Sequence, residues 1–221
     1  MLYLLLVILL QGECRASRIE PFFQWTVGSS WSVKTVYKQL NGDWSHPKIW
    51  IFTVDGEDEG SFHIRVRGEG SSQALLSFDK KAGQLQHIML TDVLRGEELI
   101  RQVRIQTLSP VYPSLSGIPF HFPYFSDDAS SAEYRLKRLL NGRPMGIELI
   151  GQSVEPVDRN RLLSDLSMEA KKDLETFSFE PEGLLFVIKK KERPIFKQYW
   201  FPGFPWAVYM ETQDCKAWLK R

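Results

Sequence analysis

The sequence lacks the features that usually mark a metal, redox or nucleotide site. Its 221 residues include two cysteines, Cys14 and Cys215, which supply neither a CxxC pair nor a framework of disulfides. No HExxH pair, GxSxG turn or glycine-rich phosphate loop occurs. The four histidines have no metal-ligand spacing and are expected to lie apart: His46, His63, His87 and His121. We therefore predict no metal, no cofactor and no enzymatic activity, and a hydrolase assembled from dispersed Asp, Glu and His residues stays open as an alternative.

An excess of charge of one sign is also missing. Lys and Arg number 28 and Asp and Glu number 27, so the net charge is +1. Nucleic-acid-binding domains concentrate Lys and Arg and have a pI above about 9, so we expect no nucleic-acid partner. The local exception is the basic run at 189–193, which precedes Pro194. Such a run is typical of a solvated turn, and peripheral contact with anionic lipid is the alternative.

The apolar run at residues 2–10, LYLLLVILL, is too short to span a membrane, because a transmembrane helix needs about 20 apolar residues. Its length is typical of a secretory signal peptide. The following Cys14-Arg15-Ala16 resembles a signal-peptidase site. We predict that residues 1–16 are removed between Ala16 and Ser17, leaving one domain at 17–221. The protein would then be exported, to the periplasm, the outer envelope or the extracellular space.

Cys14 allows a different processing of the same segment. It follows an apolar run, as the lipid-modified cysteine of bacterial lipoproteins does, but Glu13 and Gln11 stand where that class has a small and an aliphatic residue. Lipidation of Cys14 would anchor the protein in a membrane. A cut after Gly12 would instead retain both cysteines and permit a disulfide between Cys14 and Cys215. The alternative to a free exported protein is therefore a membrane-tethered structural lipoprotein.

The remaining chain has the pattern of antiparallel sheet. Short runs of β-branched and aromatic residues are broken every 8 to 12 positions or so by Gly, Asn, Asp or Pro. In Ser61–Arg67, apolar Phe62, Ile64 and Val66 alternate with polar residues, which predicts one buried and one wet face. The ten predicted strands are 31–40, 48–55, 61–67, 73–78, 84–90, 99–107, 145–151, 184–190, 195–201 and 206–212.

Two segments have helical patterns. Ser130 and Glu133 form a capping box, and Gly142 suits a C-cap after apolar residues at 132, 136, 139 and 140. Leucines at 162, 163, 166 and 174 predict a second helix over 160–175. We predict an α+β fold: a large, curved, half-barrel-like antiparallel sheet with two helices on its concave side. This architecture is similar to the half-barrels of periplasmic lipoprotein carriers, which cradle acyl chains, although no motif of that family occurs here.

Aromatic residues are concentrated in two proline-containing loops. Residues 112–125 hold five aromatic side chains and residues 196–209 hold seven. Proline excludes these segments from central strands and fixes their backbone, so the rings either line an apolar site or close the sheet over its core. The first interpretation predicts ten ligand-binding residues: Tyr112, Phe120, His121, Phe122, Tyr124, Phe125, Tyr199, Trp200, Phe204 and Trp206.

The sequence thus predicts an exported binding or interaction protein with an aromatic-lined, partly apolar site. Its expected ligand is a lipid, an acyl chain or a glycan, and its expected partner an envelope protein.

Overall fold

The chain forms one antiparallel sheet with two short helices. A computed structural model describes residues 24–68, 73–80, 85–94, 97–104, 131–140, 143–190 and 193–221. Within these residues the sheet has twelve strands: β1 Ser30–Tyr37, β2 Lys48–Glu57, β3 Ser61–Arg67, β4 Gln73–Asp79, β5 Leu85–Leu94, β6 Glu97–Arg104, β7 Ser131–Leu140, β8 Arg143–Asp158, β9 Glu182–Lys190, β10 Arg193–Trp200, β11 Tyr209–Thr212 and β12 Cys215–Lys220. The helices are α1 Arg159–Asp165 and α2 Met168–Leu174. The predicted fold class, an α+β curved half-barrel that does not close, is confirmed.

The sheet consists of two meanders joined at one seam. Strands β1 to β6 follow one another in space, as do β7 to β12, and the spatial order is β6-β5-β4-β3-β2-β1-β12-β11-β10-β9-β8-β7. The seam is the antiparallel pair β1–β12, whose register runs from Ser32 opposite Lys220 to Tyr37 opposite Cys215. Residues far apart in sequence therefore meet at the centre of the sheet.

Alternation along the strands gives the sheet two different faces. The core face, defined by Val33, Phe52, Ile64 and Leu76, is fully buried. Register places these residues on neighbouring strands and on the same side. The helix face lies on the other side of the same sheet, and the register joins its defining residues in one row: Lys34, Trp218, Tyr209 and Tyr199. The prediction that 61–67 is a strand with one buried side is thus confirmed.

Both helices lie against the helix face. Leu162 of α1 and Ala170 and Leu174 of α2 are fully buried, and α1 contacts β8 while α2 contacts β12. Sequence analysis predicted one helix over 160–175, but Leu166 is extended and Ser167 caps α2 by accepting a hydrogen bond from the Ala170 amide. A serine that satisfies a free amide favours a new helix start over continuation. Among the described residues, no helix is long and apolar enough to cross a bilayer.

The predicted helix at 130–142 is wrong. Residues Ser131–Leu140 form strand β7, paired with β8 from Ser131 opposite Ser153 to Leu140 opposite Arg143. The sequence SAEYRLK at 131–137 also alternates polar and apolar residues with a period of two, so helical and strand patterns coincide here. The partner strand β8 decides between them, because sheet pairing overrides weak local helical preference.

The C-terminal meander differs from the prediction in three further places. Proline was expected to keep 196–209 out of central strands, but residues 196–200 lie in β10, which pairs with both β9 and β11. Pro202 and Pro205 follow the last residue of β10, so they remove none of its ladder hydrogen bonds. The strand expected at 206–212 begins at Tyr209, because 201–206 turns through Gly203, which has a φ of 81°. Strand β12 was not predicted: its alternation is short, and the burial of Ala217, Trp218 and Leu219 reflects coverage on both faces. Two-sided burial erases the alternating pattern by which a strand is recognised.

Candidate functional site

The core face carries a continuous cluster of aromatic rings. Trp206 lies at its centre, with ring centroids 4.9 Å from Phe52, 5.9 Å from Trp31 and 6.3 Å from Trp25. Trp25 also packs on Phe78, at 4.9 Å, and its indole N–H donates to the Pro205 carbonyl at 2.7 Å. The segment before β1 is therefore tied to the turn before β11 across this cluster.

The predicted ligand-binding residues fall into two groups. Six of them lie outside the described residues: Tyr112, Phe120, His121, Phe122, Tyr124 and Phe125. The other four, Tyr199, Trp200, Phe204 and Trp206, are at most 8% exposed. They do not share one surface, because Tyr199 lies on the helix face while Trp200 follows it on the core face. Their role in ligand binding stays a prediction.

At the far end of β1 from the aromatic cluster, the core face holds buried polar atoms without hydrogen-bond partners. Among the described residues, Thr35 Oγ1, Tyr37 OH and Trp50 Nε1 have no partner, and Trp31 Nε1 nearer the cluster has none either. Burial raises the pKa of Tyr37 well above its ordinary value. The neighbouring Thr35 and Trp50 side chains lower it somewhat, although they do not complete hydrogen bonds of normal geometry. We call Thr35, Tyr37 and Trp50 the polar end of the core face.

Two further residues shape the polar end. The ring of Trp50 lies directly over Gly68, where a β-carbon would stand 2.3 Å from its Cζ3, so only glycine fits. The thiol of Cys215, opposite Tyr37 in the register, is free, and burial raises its pKa to about 12. A thiol with that pKa is a poor nucleophile at neutral pH. The predicted alternatives for Cys14, lipidation or a bridge to Cys215, lie outside the described residues and stay predictions, as does cleavage between Ala16 and Ser17.

The helix face beyond the helices has its own arrangement of polar side chains. Register places His63, Ser77 and His87 side by side on β3, β4 and β5. His63 Nδ1 lies 3.1 Å from Ser77 Oγ, and His63 Nε2 lies 3.0 Å from Asp58 Oδ2. The other oxygen of Asp58 accepts hydrogen bonds from the Gly60 and Ser61 amides at 2.9 and 2.7 Å.

The acidic loop at 55–60 is the origin of this arrangement. It covers the end of β2 and the turn from β2 to β3, where Asp58 accepts hydrogen bonds from the Gly60 and Ser61 amides. The hydrogen bond from the Gly60 amide, aided by those from His63 and Ser61, holds the pKa of Asp58 below its ordinary value. Within the described residues no group of three or more His, Cys, Asp or Glu side chains could hold a metal ion.

Sequence reasoning treated the histidines as separate and missed this site. Its only sequence signal is positional: His63 and Ser77 lie on strands joined by one hairpin, and the register of that hairpin decides whether they face each other. The alternating pattern decides which face each residue takes, but the offset between the two strands also depends on the geometry of the turn.

An open cleft of about 190 Å³ lies beside the histidine row. It is lined by Arg65, Gln73, Ala74, Leu75 and Met89. Leu75 and Met89 are directly opposite each other in the register, and Met89 is 38% exposed. Leu75 is two residues from Ser77 on β4, so the cleft lies roughly 7 Å along the strand from the Ser77 hydroxyl.

No protein-family model matches the sequence, and no curated protein matches it. Among solved structures, the chain is similar to a crystal structure from Vibrio parahaemolyticus that is described as an outer membrane lipoprotein-sorting protein domain. The sequence identity is 13%, the superposition covers 94% of this chain and 87% of that chain, and the TM-score is 0.38.

Proposed function

We propose that this protein is an exported binding protein whose core face takes an amphipathic ligand, an acyl chain with an anionic head group. The observation that carries this proposal is the polar end of the core face. Buried polar side chains in folded proteins nearly always have hydrogen-bond partners, and leaving one unpaired costs about 1 to 3 kcal/mol. Three such groups together offer hydrogen bonds to the head group of a ligand.

The rest of the core face supports the choice of an apolar chain. From Val33 and Phe52 to Ile64 and Leu76 the face is aliphatic and aromatic and fully buried, which suits burial of methylene groups at about 0.8 kcal/mol each. The rings are buried, so binding requires the face to open. A ligand entering here therefore changes the environment of Trp31 and Trp206.

A cation at the polar end supports an anionic head group. Lys48 lies opposite Thr35 in the register, and its ammonium group is 5.9 Å from the centroid of the Tyr37 ring. A carboxylate or phosphate between Lys48 and the polar end would accept hydrogen bonds from the hydroxyl and indole donors there.

The test is displacement of a fluorescent fatty acid by dodecanoate, together with direct titration of tryptophan fluorescence. We expect saturable binding by the native protein. Thr35→Val keeps the shape of the side chain and removes its hydroxyl, so the affinity should fall roughly 3- to 10-fold, the effect of one hydrogen bond. Thr53→Val makes the same change on the helix face and is the matched control.

Two outcomes would contradict the proposal. If the folded native protein binds neither the fluorescent fatty acid nor dodecanoate, the proposed acyl ligand is wrong. Equal affinity of native protein and Thr35→Val, with the same melting temperature, shows that the polar end does not contact the ligand.

Export is a separate part of the proposal and rests on residues 1–16. Mass spectrometry of the mature N-terminus in an exporting host tests it. A start at Ser17 supports the proposal, whereas an intact Met1 overturns export. An acylated Cys14 would instead support the tethered lipoprotein.

A further inference from the structure

Asp58, His63 and Ser77 form a continuous chain of hydrogen-bonding groups. The order is carboxylate, imidazole, hydroxyl, with contacts of 3.0 and 3.1 Å. A nucleophile within hydrogen-bond reach of a base, which is itself oriented by a third group, is the structural sign of an activated hydroxyl. These three hydrogen-bonded residues are accessible to solvent, since 33% of the His63 side chain and 57% of the Asp58 side chain are exposed.

The positions of these groups are fixed by the sheet and by the turn. Asp58 is held by two backbone amides, and its lowered pKa keeps it ionised at neutral pH. An ionised carboxylate accepts only, so the proton of neutral His63 resides on Nε2. That tautomer leaves Nδ1 free to accept the Ser77 proton.

One neighbouring feature offers room for a substrate. The cleft beside Leu75 and Met89 lies on the same face as Ser77, and these two side chains can contact a small acyl group, with Arg65 and Gln73 at its polar side.

We propose that Ser77 is the nucleophile of a second, catalytic site that hydrolyses esters of small apolar acyl groups, with His63 as the general base and Asp58 as its positioning residue. The site lies on the opposite side of the sheet from the core face and is independent of the proposed binding function. We expect a short acyl chain, because the apolar side chains that line the cleft are few, Leu75 and Met89 beside Ala74.

The reaction proceeds in two balanced steps. Ser77 Oγ attacks the ester carbonyl while His63 Nδ1 takes its proton, and collapse of the tetrahedral intermediate breaks the carbon–oxygen bond of the alcohol, which leaves with that proton. Water then attacks the acyl-Ser77 carbonyl and gives a proton to His63. Release of the acid returns the proton to Ser77, so one ester and one water become one acid and one alcohol.

The test uses the full chain with two probes, a fluorophosphonate and p-nitrophenyl butyrate. We expect the fluorophosphonate to add once per molecule, on the peptide that contains Ser77, and p-nitrophenol to be released with a burst of one equivalent. Ser77→Ala should reduce both to background. His63→Gln should slow labelling about 100-fold or more, the usual effect of removing a general base.

Matched controls separate catalysis from general reactivity. Ser30→Ala removes an exposed serine, and His46→Gln removes an exposed histidine, and neither should change labelling. Asp58→Asn should lower kcat with little change in KM, whereas a purely structural role of Asp58 would lower the melting temperature and leave kcat of the folded fraction unchanged. Labelling of the folded native protein that is equal to Ser77→Ala, or spread over other serines, overturns the proposal.

Discussion

The helices α1 and α2 cover one half of the helix face and leave the other half open. A carboxylate has a different role in each half. In the covered half, Asp173 of α2 accepts hydrogen bonds from Lys34 Nζ and Trp218 Nε1, both at 2.9 Å. In the open half, His63 Nε2 and Asp58 Oδ2 lie 3.0 Å apart, and both side chains are partly exposed to solvent. The covered carboxylate joins elements far apart in sequence, whereas the open one joins neighbouring strands.

Burial decides what each arrangement contributes. Trp218 is 1% exposed and Tyr199 is fully buried, so their polar groups depend on Asp173 and on Asp165, which accepts the Tyr199 hydroxyl proton. Loss of such a partner leaves an unpaired buried group. In the open half water replaces a lost partner at little cost. We therefore expect substitutions in the covered half to reduce the free energy of unfolding, and substitutions in the open half to change the proposed reaction at Ser77.

The largest expected effect is on helix packing. Leu174→Ala truncates a fully buried side chain of α2 and should lower the free energy of unfolding by about 2 to 5 kcal/mol. Leu75→Ala, in the open half, should lower it by less than about 1 kcal/mol. Urea unfolding of both variants measures the two losses of unfolding free energy. Equal losses would show that the open half is also a packing surface.

A smaller effect is expected at Asp173. Asp173→Asn weakens the contact to Lys34 and should lower the free energy of unfolding by about 1 to 3 kcal/mol. Denaturant unfolding at neutral pH measures this loss. Asp58→Asn should leave the denaturation midpoint unchanged. A lower midpoint for Asp58→Asn would mean that the turn depends on its charge.

The contribution of Asp173 should also depend on pH. Burial acts to raise the pKa of Asp173, but the hydrogen bonds from Trp218 and Lys34 hold it below its ordinary value. A carboxylate whose pKa is lower in the folded protein stabilises above its unfolded pKa of about 3.9, and this stability is lost as pH falls through the folded pKa. The difference between native protein and Asp173→Asn should therefore shrink below about pH 4. A constant difference down to pH 2 or so would contradict the pairing.

The smallest expected effect is at Tyr199. Tyr199→Phe removes the hydroxyl that donates to Asp165 and should cost about 1 kcal/mol. Ser30→Ala, an exposed position on the same face, should change stability by less than about 0.5 kcal/mol. Thermal unfolding of the two variants distinguishes these values, and no loss for Tyr199→Phe would mean that water replaces the hydroxyl.

The sequence predicted one-sided strands well and other elements poorly. Strand β3 was predicted with its observed bounds because Phe62, Ile64 and Val66 alternate with polar residues and only one side is buried. Strand β12 was missed because it is buried on both sides, and β7 was taken for a helix because its residues fit both periods. Local pattern is informative only where the surroundings treat the two faces of a strand differently.

The candidate sites could be predicted only in part. Clustering of rings in 196–209 is visible in the sequence, and Trp206 lies at the centre of the aromatic cluster. The pairing of His63 with Ser77 and the convergence of Thr35, Tyr37 and Trp50 depend on the offset between strands. Hydrophobic alternation specifies the face of each residue, whereas the offset also depends on the turns. The predicted division into a leader at 1–16 and one domain at 17–221 stays a prediction.

The β1–β12 seam also determines when the sheet can be completed. Strand β1 is synthesised long before its partner, since Ser32 pairs with Lys220. Until β12 emerges from the ribosome, the nascent N-terminal meander has an unpaired edge at β1 that can pair with other chains. Because this pairing closes a loop of nearly the whole sequence, we expect it to be slow. In the exported protein that we propose, such a delay would leave more time for translocation before folding.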